Sequence, residues 1–154
     1  MNGERKMKLR YYLIIAACCS LLLMNGCSYR FNIAVTGDNP FQPIFMLTKP
    51  TLVFPLGKKK VPLNDFGVYV KKQNDWDYKN PIWSFELQPG ASKEIYKIQY
   101  GKVPNGFQEY KQAEKLIEGI PYLVMGMGAG CNGSVTFKII KKNASYELVV
   151  EQDE

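Results

Sequence analysis

The stretch "LIEGIPYLV", residues 116–124, decides the fold class. Leu116 precedes Tyr122 by six residues, Gly119 lies between them, and Val124 follows Tyr122 at the two-residue spacing of a β-strand. Gly119 therefore marks a turn, and Tyr122 and Val124 lie in the strand after it. Leu116 and Tyr122 either form a specialised corner at this turn or are ordinary core residues of another all-β fold.

Short apolar runs extend on both sides of this stretch. They are rich in β-branched and aromatic residues and span 44–47, 51–54, 66–70, 82–87, 95–100, 120–125, 135–140 and 146–150. Glycine and proline turns separate them, and in five runs the apolar residues alternate, at 66–70, 83–87, 96–100, 135–139 and 146–150. This pattern predicts strands with one buried face, which is typical of a β-sandwich or barrel.

Two segments are less regular. Residues 28–38 are either a tether or a first strand, and the alternation of Phe31, Ile33 and Val35 favours a strand. Residues 108–117 carry apolar side chains at helical spacing, which predicts at most a short turn of helix.

The leucine, glycine and tyrosine of residues 116–124 resemble the tyrosine corner of fibronectin type III and related immunoglobulin-like domains. The likeness covers roughly residues 82–140. It implies that the Tyr122 hydroxyl bonds back to the backbone, that Leu116 plugs the end of the core, and that Trp83 is the central aromatic residue. The expected fold is an all-β, immunoglobulin-like (fibronectin type III-like) antiparallel β-sandwich over residues 41–154.

The N-terminal region has the pattern of a secretory signal. Four basic residues lie within residues 5–10, and residues 11–23 form an almost uncharged block of about 13 residues. A membrane-spanning helix needs roughly 20 apolar residues, so cleavage is expected. A retained signal anchor with an incidental cysteine is the alternative.

The end of this block, "LLLMNGCSYR" at residues 21–30, resembles the lipobox of bacterial lipoproteins, although Met24 and Asn25 differ from its usual residues. The resemblance implies a signal peptide over residues 1–26, lipidation of Cys27, and a lipidated terminus with its tether or first strand over residues 27–40. Several acyl chains hold such a terminus in a membrane. Ser28 in the next position implies sorting to the outer membrane, facing the periplasm.

Charge and cysteine content exclude several classes. Removing residues 1–26 takes four of the 20 basic and one of the 14 acidic residues, and lowers the net charge from +6 to +3. No concentrated basic face remains, so no nucleic-acid partner is expected, and the lysines of residues 58–60 are interpreted as a solvated turn.

Once Cys27 is acylated only Cys131 is left, so no internal disulfide is possible; burial of Cys131 is favoured over a free reactive thiol.

The chemistry available for catalysis is sparse. The chain has no histidine, which removes the usual neutral-pH base and histidine metal sites. Asp75 and Asp77 flank Trp76 in "NDWDYKN", a pattern compatible with glycoside hydrolysis or calcium binding, but a solvated hairpin loop is the favoured interpretation. The G-x-G-x-x-G at Gly128, Gly130 and Gly133 precedes a strand and not a helix, which favours a flexible hairpin connection. No enzymatic activity, cofactor or metal is predicted.

The sequence therefore predicts a lipid-anchored, non-enzymatic protein-binding module. The candidate contact residues lie in two loops, Asp75, Trp76, Asp77 and Tyr78 in one, and Gly128, Gly130 and Asn132 in the glycine-rich segment 126–133 in the other. The chain, with "PIWSFEL", "IQYGKVPNGF" and "LIEGIPYLV" after its lipobox, resembles small Gram-negative lipoproteins, some of which are immunity partners of type VI secretion toxins. The alternatives are a structural accessory of an envelope assembly and a carboxylate-dependent hydrolase.

Overall fold

A computed structural model describes residues 29–50, 60–72 and 75–151. These residues form thirteen strands and no helix, so the all-β prediction is confirmed. No helix long and apolar enough to span a membrane occurs within these three ranges. The predicted lipidation site Cys27, the predicted strand at residues 51–54, and Lys58 and Lys59 lie outside the described residues.

The strands are named in chain order. They are β1 (Tyr29–Arg30), β2 (Asn32–Thr36), β3 (Ile44–Thr48), β4 (Val61–Leu63), β5 (Asp65–Lys72), β6 (Asp75–Trp76), β7 (Trp83–Glu86), β8 (Lys93–Ile95), β9 (Lys97–Gln99), β10 (Gln108–Lys111), β11 (Pro121–Gly128), β12 (Cys131–Lys142) and β13 (Ser145–Glu151).

The largest sheet has the strand order β1-β12-β11-β5-β7-β10, and β13 pairs with β12 while β6 pairs with β5. We call this the main sheet. A three-stranded sheet has the order β2-β3-β9, and β4 pairs with β8. Among the described strands every pairing is antiparallel except β1 with β12.

One apolar core joins the sheets. The ring of Phe45 on β3 lies 5.5 Å from that of Phe66 on β5 and 5.9 Å from that of Phe137 on β12, measured between centroids. Trp83 on β7 packs edge-on against Tyr100, with centroids 5.1 Å apart. These contacts across the sheets are consistent with a β-sandwich.

The predicted core residues at the corner are in place. Leu116, Tyr122 and Trp83 are buried. The backbone N–H of Ile117 donates to the Tyr122 hydroxyl oxygen at 2.7 Å, so the tyrosine bonds back across the turn as expected. Cys131 is also buried, as predicted, with its sulfur 3.6 Å from the carbonyl oxygen of Pro62.

The helical prediction for residues 108–117 is wrong. Residues 108–111 form β10, which pairs antiparallel with β7, and no helix follows it. Two interactions with the β7 region explain the outcome: Trp83 Nε1 donates to Glu109 Oε1 at 3.3 Å, and Glu114 N donates to the Ile82 carbonyl at 2.9 Å. The open edge of β7 supplies backbone partners that outweigh the local helical spacing.

Two expected alternations fail in part. On β13, Tyr146 and Val150 are exposed because this strand lies at an edge of the main sheet, where fewer neighbours cover it. Tyr96 is exposed as well, since it lies at the break between β8 and β9, whereas Ile98 and Tyr100 of the same run are buried.

The segment 126–133 is not a flexible loop as predicted. Most of it belongs to β11 and β12, which are joined by a turn of only Ala129 and Gly130. Gly128 is required for close packing, because a Cβ there would collide with the carbonyl oxygen of Pro62. This glycine lets β4 approach β11.

Candidate functional site

The candidate site lies on the face of the main sheet that points away from the core. Along β5, Phe66 and Val68 point into the core, and the alternation of a strand therefore places Asp65, Gly67 and Tyr69 on the outer face. This outer face had not been expected to carry function.

An open pocket of about 190 Å³ occurs on this face between β5, β7 and β10. We call it the tyrosine pocket; the residues that line it are Asp65, Tyr69, Tyr78, Lys79, Pro81, Ser84, Phe85, Glu86 and Tyr110. Tyr78 and Tyr110 are 53% and 78% exposed, so both rings are accessible to a partner.

Strand register brings the two carboxylates together. Asp65 on β5 is directly opposite Glu86 on β7, and Gly67 is opposite Ser84. Paired residues of neighbouring antiparallel strands have Cβ atoms about 5 Å apart. None of the ion pairs among the described residues includes Asp65 or Glu86.

The three tyrosines come from different elements. Tyr69 belongs to β5, and Tyr110 lies at an irregularity in the pairing of β10 with β7. Tyr78 is held in the turn after β6, where its backbone N–H donates to the Trp76 carbonyl at 3.0 Å. The rings of Tyr69 and Tyr78 are tilted by 54° with centroids 5.8 Å apart.

Gly67 permits the position of the Tyr69 ring. A Cβ at residue 67 would lie 2.5 to 2.8 Å from the hydroxyl and ring atoms of Tyr69. The hydroxyl end of the Tyr69 ring therefore occupies the space above Gly67 that a larger side chain would need.

The electrostatics of the tyrosine pocket favour a positively charged ligand. Burial, and then the charge of Glu86, raises the pKa of Asp65 above its ordinary value of 3.8. Burial, the charge of Asp65 and the neighbouring Tyr78 raise the pKa of Tyr69 above 10. A cation placed here would relieve the repulsion between the two carboxylates.

Ser84 adds an unused polar group to the wall of the pocket. Its hydroxyl oxygen is buried and has no hydrogen-bond partner among the described residues. Buried polar atoms are almost always hydrogen-bonded, so this unpaired hydroxyl is an exception; its oxygen is closed to solvent and therefore also to a ligand.

The structure brings only one of the predicted loop residues into the pocket, Tyr78. Trp76 lies beside Lys71, whose Nζ is 5.9 Å from the centroid of the indole, and it does not line the pocket. The Asp75 carboxylate accepts a hydrogen bond from the Trp76 backbone N–H at 2.8 Å.

Asp77 stabilises the turn. Its carboxylate pairs with Lys72 and accepts two hydrogen bonds from Asn80 Nδ2, at 3.0 and 3.1 Å. These contacts, the one with Lys72 first, lower the pKa of Asp77 below 3.8. No cluster of three or more acidic, cysteine or histidine side chains that could hold a metal occurs in the part of the chain described.

The predicted residues of the glycine-rich segment lie elsewhere on the main sheet. Gly128 pairs with Cys131, and Gly130 lies in the turn between β11 and β12. Asn132 is opposite Met127, which in turn is opposite Asp65. Asn132 is therefore in the same row as the tyrosine pocket, but two strands away.

Sequence reasoning missed Asp65, Tyr69, Glu86 and Tyr110. The alternation in "DFGVYV" could have identified Asp65 and Tyr69, since it places them on the face of the strand that points away from the core. Tyr110 was missed because residues 108–117 were incorrectly interpreted as helical.

Comparisons with protein-family models, with curated proteins and with solved structures found no match to this chain.

Proposed function

We propose that this protein is a non-enzymatic protein-binding module that is anchored by a lipid on Cys27 to the periplasmic side of the outer membrane. The observation that carries the binding function is the tyrosine pocket, in which exposed tyrosines surround two adjacent carboxylates. Tyrosine is enriched at protein interfaces because it offers a large, rigid surface together with a polar group.

An immunoglobulin-like, fibronectin type III-like domain is the fold proposed for this module. The neighbours β12-β11-β5 match the order of strands G, F and C, and β2-β3-β9 match A, B and E. The hydrogen bond from Ile117 N to Tyr122 lies at the start of β11, where strand F begins in that family.

The membrane anchor is supported by sequence. Residues 21–27 resemble a lipobox, and the apolar block before them is shorter than a membrane span. A lipidated Cys27 joined to β1 at Tyr29 would hold the module close to the membrane surface.

A type VI secretion immunity lipoprotein is the form of this function that we propose. Such a protein would neutralise a toxin by occluding part of its surface, which requires a binding face and no catalytic group. The hydrolase alternative that was based on Asp75 and Asp77 gains little support, because a general acid needs a raised pKa and that of Asp77 is lowered.

Photo-crosslinking in cells tests the binding face. A photoreactive phenylalanine analogue replaces Tyr78 or Tyr110, and in the control it replaces Tyr96, which lies between β8 and β9 and is 43% exposed against 53% for Tyr78. We expect one discrete crosslinked protein from positions 78 and 110 and none from position 96.

The identity of the crosslinked protein separates the remaining alternatives. A secreted toxin supports immunity, whereas a component of an envelope complex supports the accessory role. Equal crosslinking from positions 96 and 78, or none from any position, would contradict the proposed function.

A further inference from the structure

We propose that the tyrosine pocket binds the guanidinium group of an arginine side chain presented by the partner protein. This inference rests on the proposed protein-binding function and names the chemistry by which the partner is recognised.

The aromatic walls favour a cation. Tyr69 and Tyr78 form a tilted pair with centroids 5.8 Å apart, and Tyr110 is the third tyrosine of the pocket. A cation within about 6 Å of a ring centroid is attracted by the electrons of the ring face. A cation placed at the opening between the two tilted rings can lie within about 6 Å of both centroids.

The carboxylates favour a ligand with several donors. Asp65 and Glu86 are directly opposite each other on neighbouring strands, and neither takes part in an ion pair among the described residues. A guanidinium group has five N–H donors in one plane and can bridge two carboxylates.

The same features discriminate between cations. A lysine ammonium is compact and strongly hydrated, so it loses more on leaving water and does not stack on a ring as a planar guanidinium does. A quaternary ammonium has no N–H donors, so it could form no hydrogen bond with either carboxylate.

The size and net charge of the pocket fit one side chain. Its volume of about 190 Å³ is below the roughly 300 Å³ at which pockets for drug-sized ligands begin. Lys79 also lines the pocket, but it forms no ion pair and no cation–π contact within the described part of the chain. The pocket thus contains the carboxylates of Asp65 and Glu86 and the ammonium of Lys79, so its net charge is negative.

Nuclear magnetic resonance of the full chain in detergent micelles, with labelled tyrosine rings, tests the proposal. The probe is the peptide acetyl-Gly-Arg-Gly-amide, and single Tyr→Phe variants assign the ring signals. We expect saturable shifts in the millimolar range at Tyr69, Tyr78 and Tyr110, and none at Tyr96.

Two matched peptides test the chemistry. Citrulline has the shape of arginine without its charge, and the citrulline peptide should cause no shift. The lysine peptide should bind about tenfold more weakly than the arginine peptide. Equal binding of the citrulline peptide would overturn the cation site, and equal binding of the lysine peptide would overturn the assignment to guanidinium.

Variants locate the binding. Asp65→Asn and Tyr110→Leu should each weaken binding of the arginine peptide about tenfold, whereas Trp76→Leu, outside the pocket, should leave it unchanged. The exposed Tyr110 is replaced without disturbing the core, so this variant keeps the test valid if Asp65→Asn fails to fold. Unchanged binding in Tyr110→Leu would overturn the proposed site.

The two proposals fail in different ways. If position 78 crosslinks a partner in cells but the arginine peptide does not bind, the module binds proteins by other chemistry and this inference is wrong. If the peptide binds but no partner is crosslinked, the pocket does bind a guanidinium group, but the proposed protein-binding function is contradicted.

Discussion

At the scale of single residues, the hydroxyl of Tyr122 stabilises the corner between residue 117 and β11. It accepts the Ile117 backbone N–H at 2.7 Å, and the tyrosine is buried against Phe137. Tyr122→Phe removes the acceptor and leaves this N–H unpaired, which should lower the free energy of unfolding by about 1–3 kcal/mol. Urea denaturation followed by circular dichroism measures the change.

Tyr96→Phe is the matched control for this corner. Tyr96 is exposed, and its substitution should change stability by less than about 0.5 kcal/mol. An equal effect of the two substitutions would show that the hydroxyl of Tyr122 has no special role. The corner could be predicted from its resemblance to a tyrosine corner, which is recognisable because the leucine, the glycine and the tyrosine lie close together in the sequence.

Asp65 should make ligand binding depend on pH. Its pKa is raised by burial and then by Glu86, so the folded chain holds the proton more tightly than the unfolded chain does. The contribution of Asp65 to stability therefore falls as the pH rises from 3.8 through its raised folded pKa. Only the ionised form attracts a cation, so binding of the arginine peptide should weaken as the pH falls through the same window.

Peptide titrations at a series of pH values measure this dependence, and two variants control it. Asp65→Asn should remove the step of the pH dependence that belongs to Asp65, together with most of the affinity. Glu86→Gln removes one source of the raised pKa and should move the midpoint to lower pH. A midpoint that stays in place in Asp65→Asn would assign the titration to another group.

At the scale of elements, the outer face of β5 depends on one glycine beneath one ring. Gly67→Ala places a methyl group where the Tyr69 ring lies, and the ring must move because the contact distance would be below 3 Å. The clash is with the end of a side chain, so the sheet should remain folded. We expect binding of the arginine peptide to fall about tenfold while the far-ultraviolet circular dichroism is unchanged.

The control for this substitution is Gly128→Ala, in which the methyl group meets the backbone carbonyl of Pro62. A backbone atom cannot move aside as a ring can, so this variant should lose stability. If Gly67→Ala unfolds the domain as well, the glycine is structural and the ring-positioning interpretation is wrong.

Whether an element can be predicted from sequence depends on how far apart in the chain the residues that stabilise it lie. The strand containing Phe66 and Val68 was predicted from alternation, because burial of one face is a property of the strand itself. β10 was not predicted, since its pairing with β7 depends on an edge that is distant in the sequence. The tyrosine pocket shares this limit, because Tyr69, Tyr78 and Tyr110 meet only once the sheet has formed.

At the scale of the whole molecule, the thiol of Cys27 and the buried Cys131 have different expected roles. Cys131 packs near Pro62 inside the fold, so it is not available to replace a surface attachment. Each acyl CH₂ buried in a membrane contributes about 0.8 kcal/mol, and more than one chain is needed for stable attachment. The lipid on Cys27, and not a group on Cys131, is thus the expected anchor.

Labelling of cells with a radioactive fatty acid tests this expectation. The wild-type protein should carry the label and fractionate with the outer membrane, and Cys27→Ala should lose the label. Cys131→Ala is the matched control and should keep both the label and the membrane location, because the buried thiol is not the modified one. Label that persists in Cys27→Ala would contradict the anchor and would leave a retained apolar segment before residue 27 as the explanation for any membrane association.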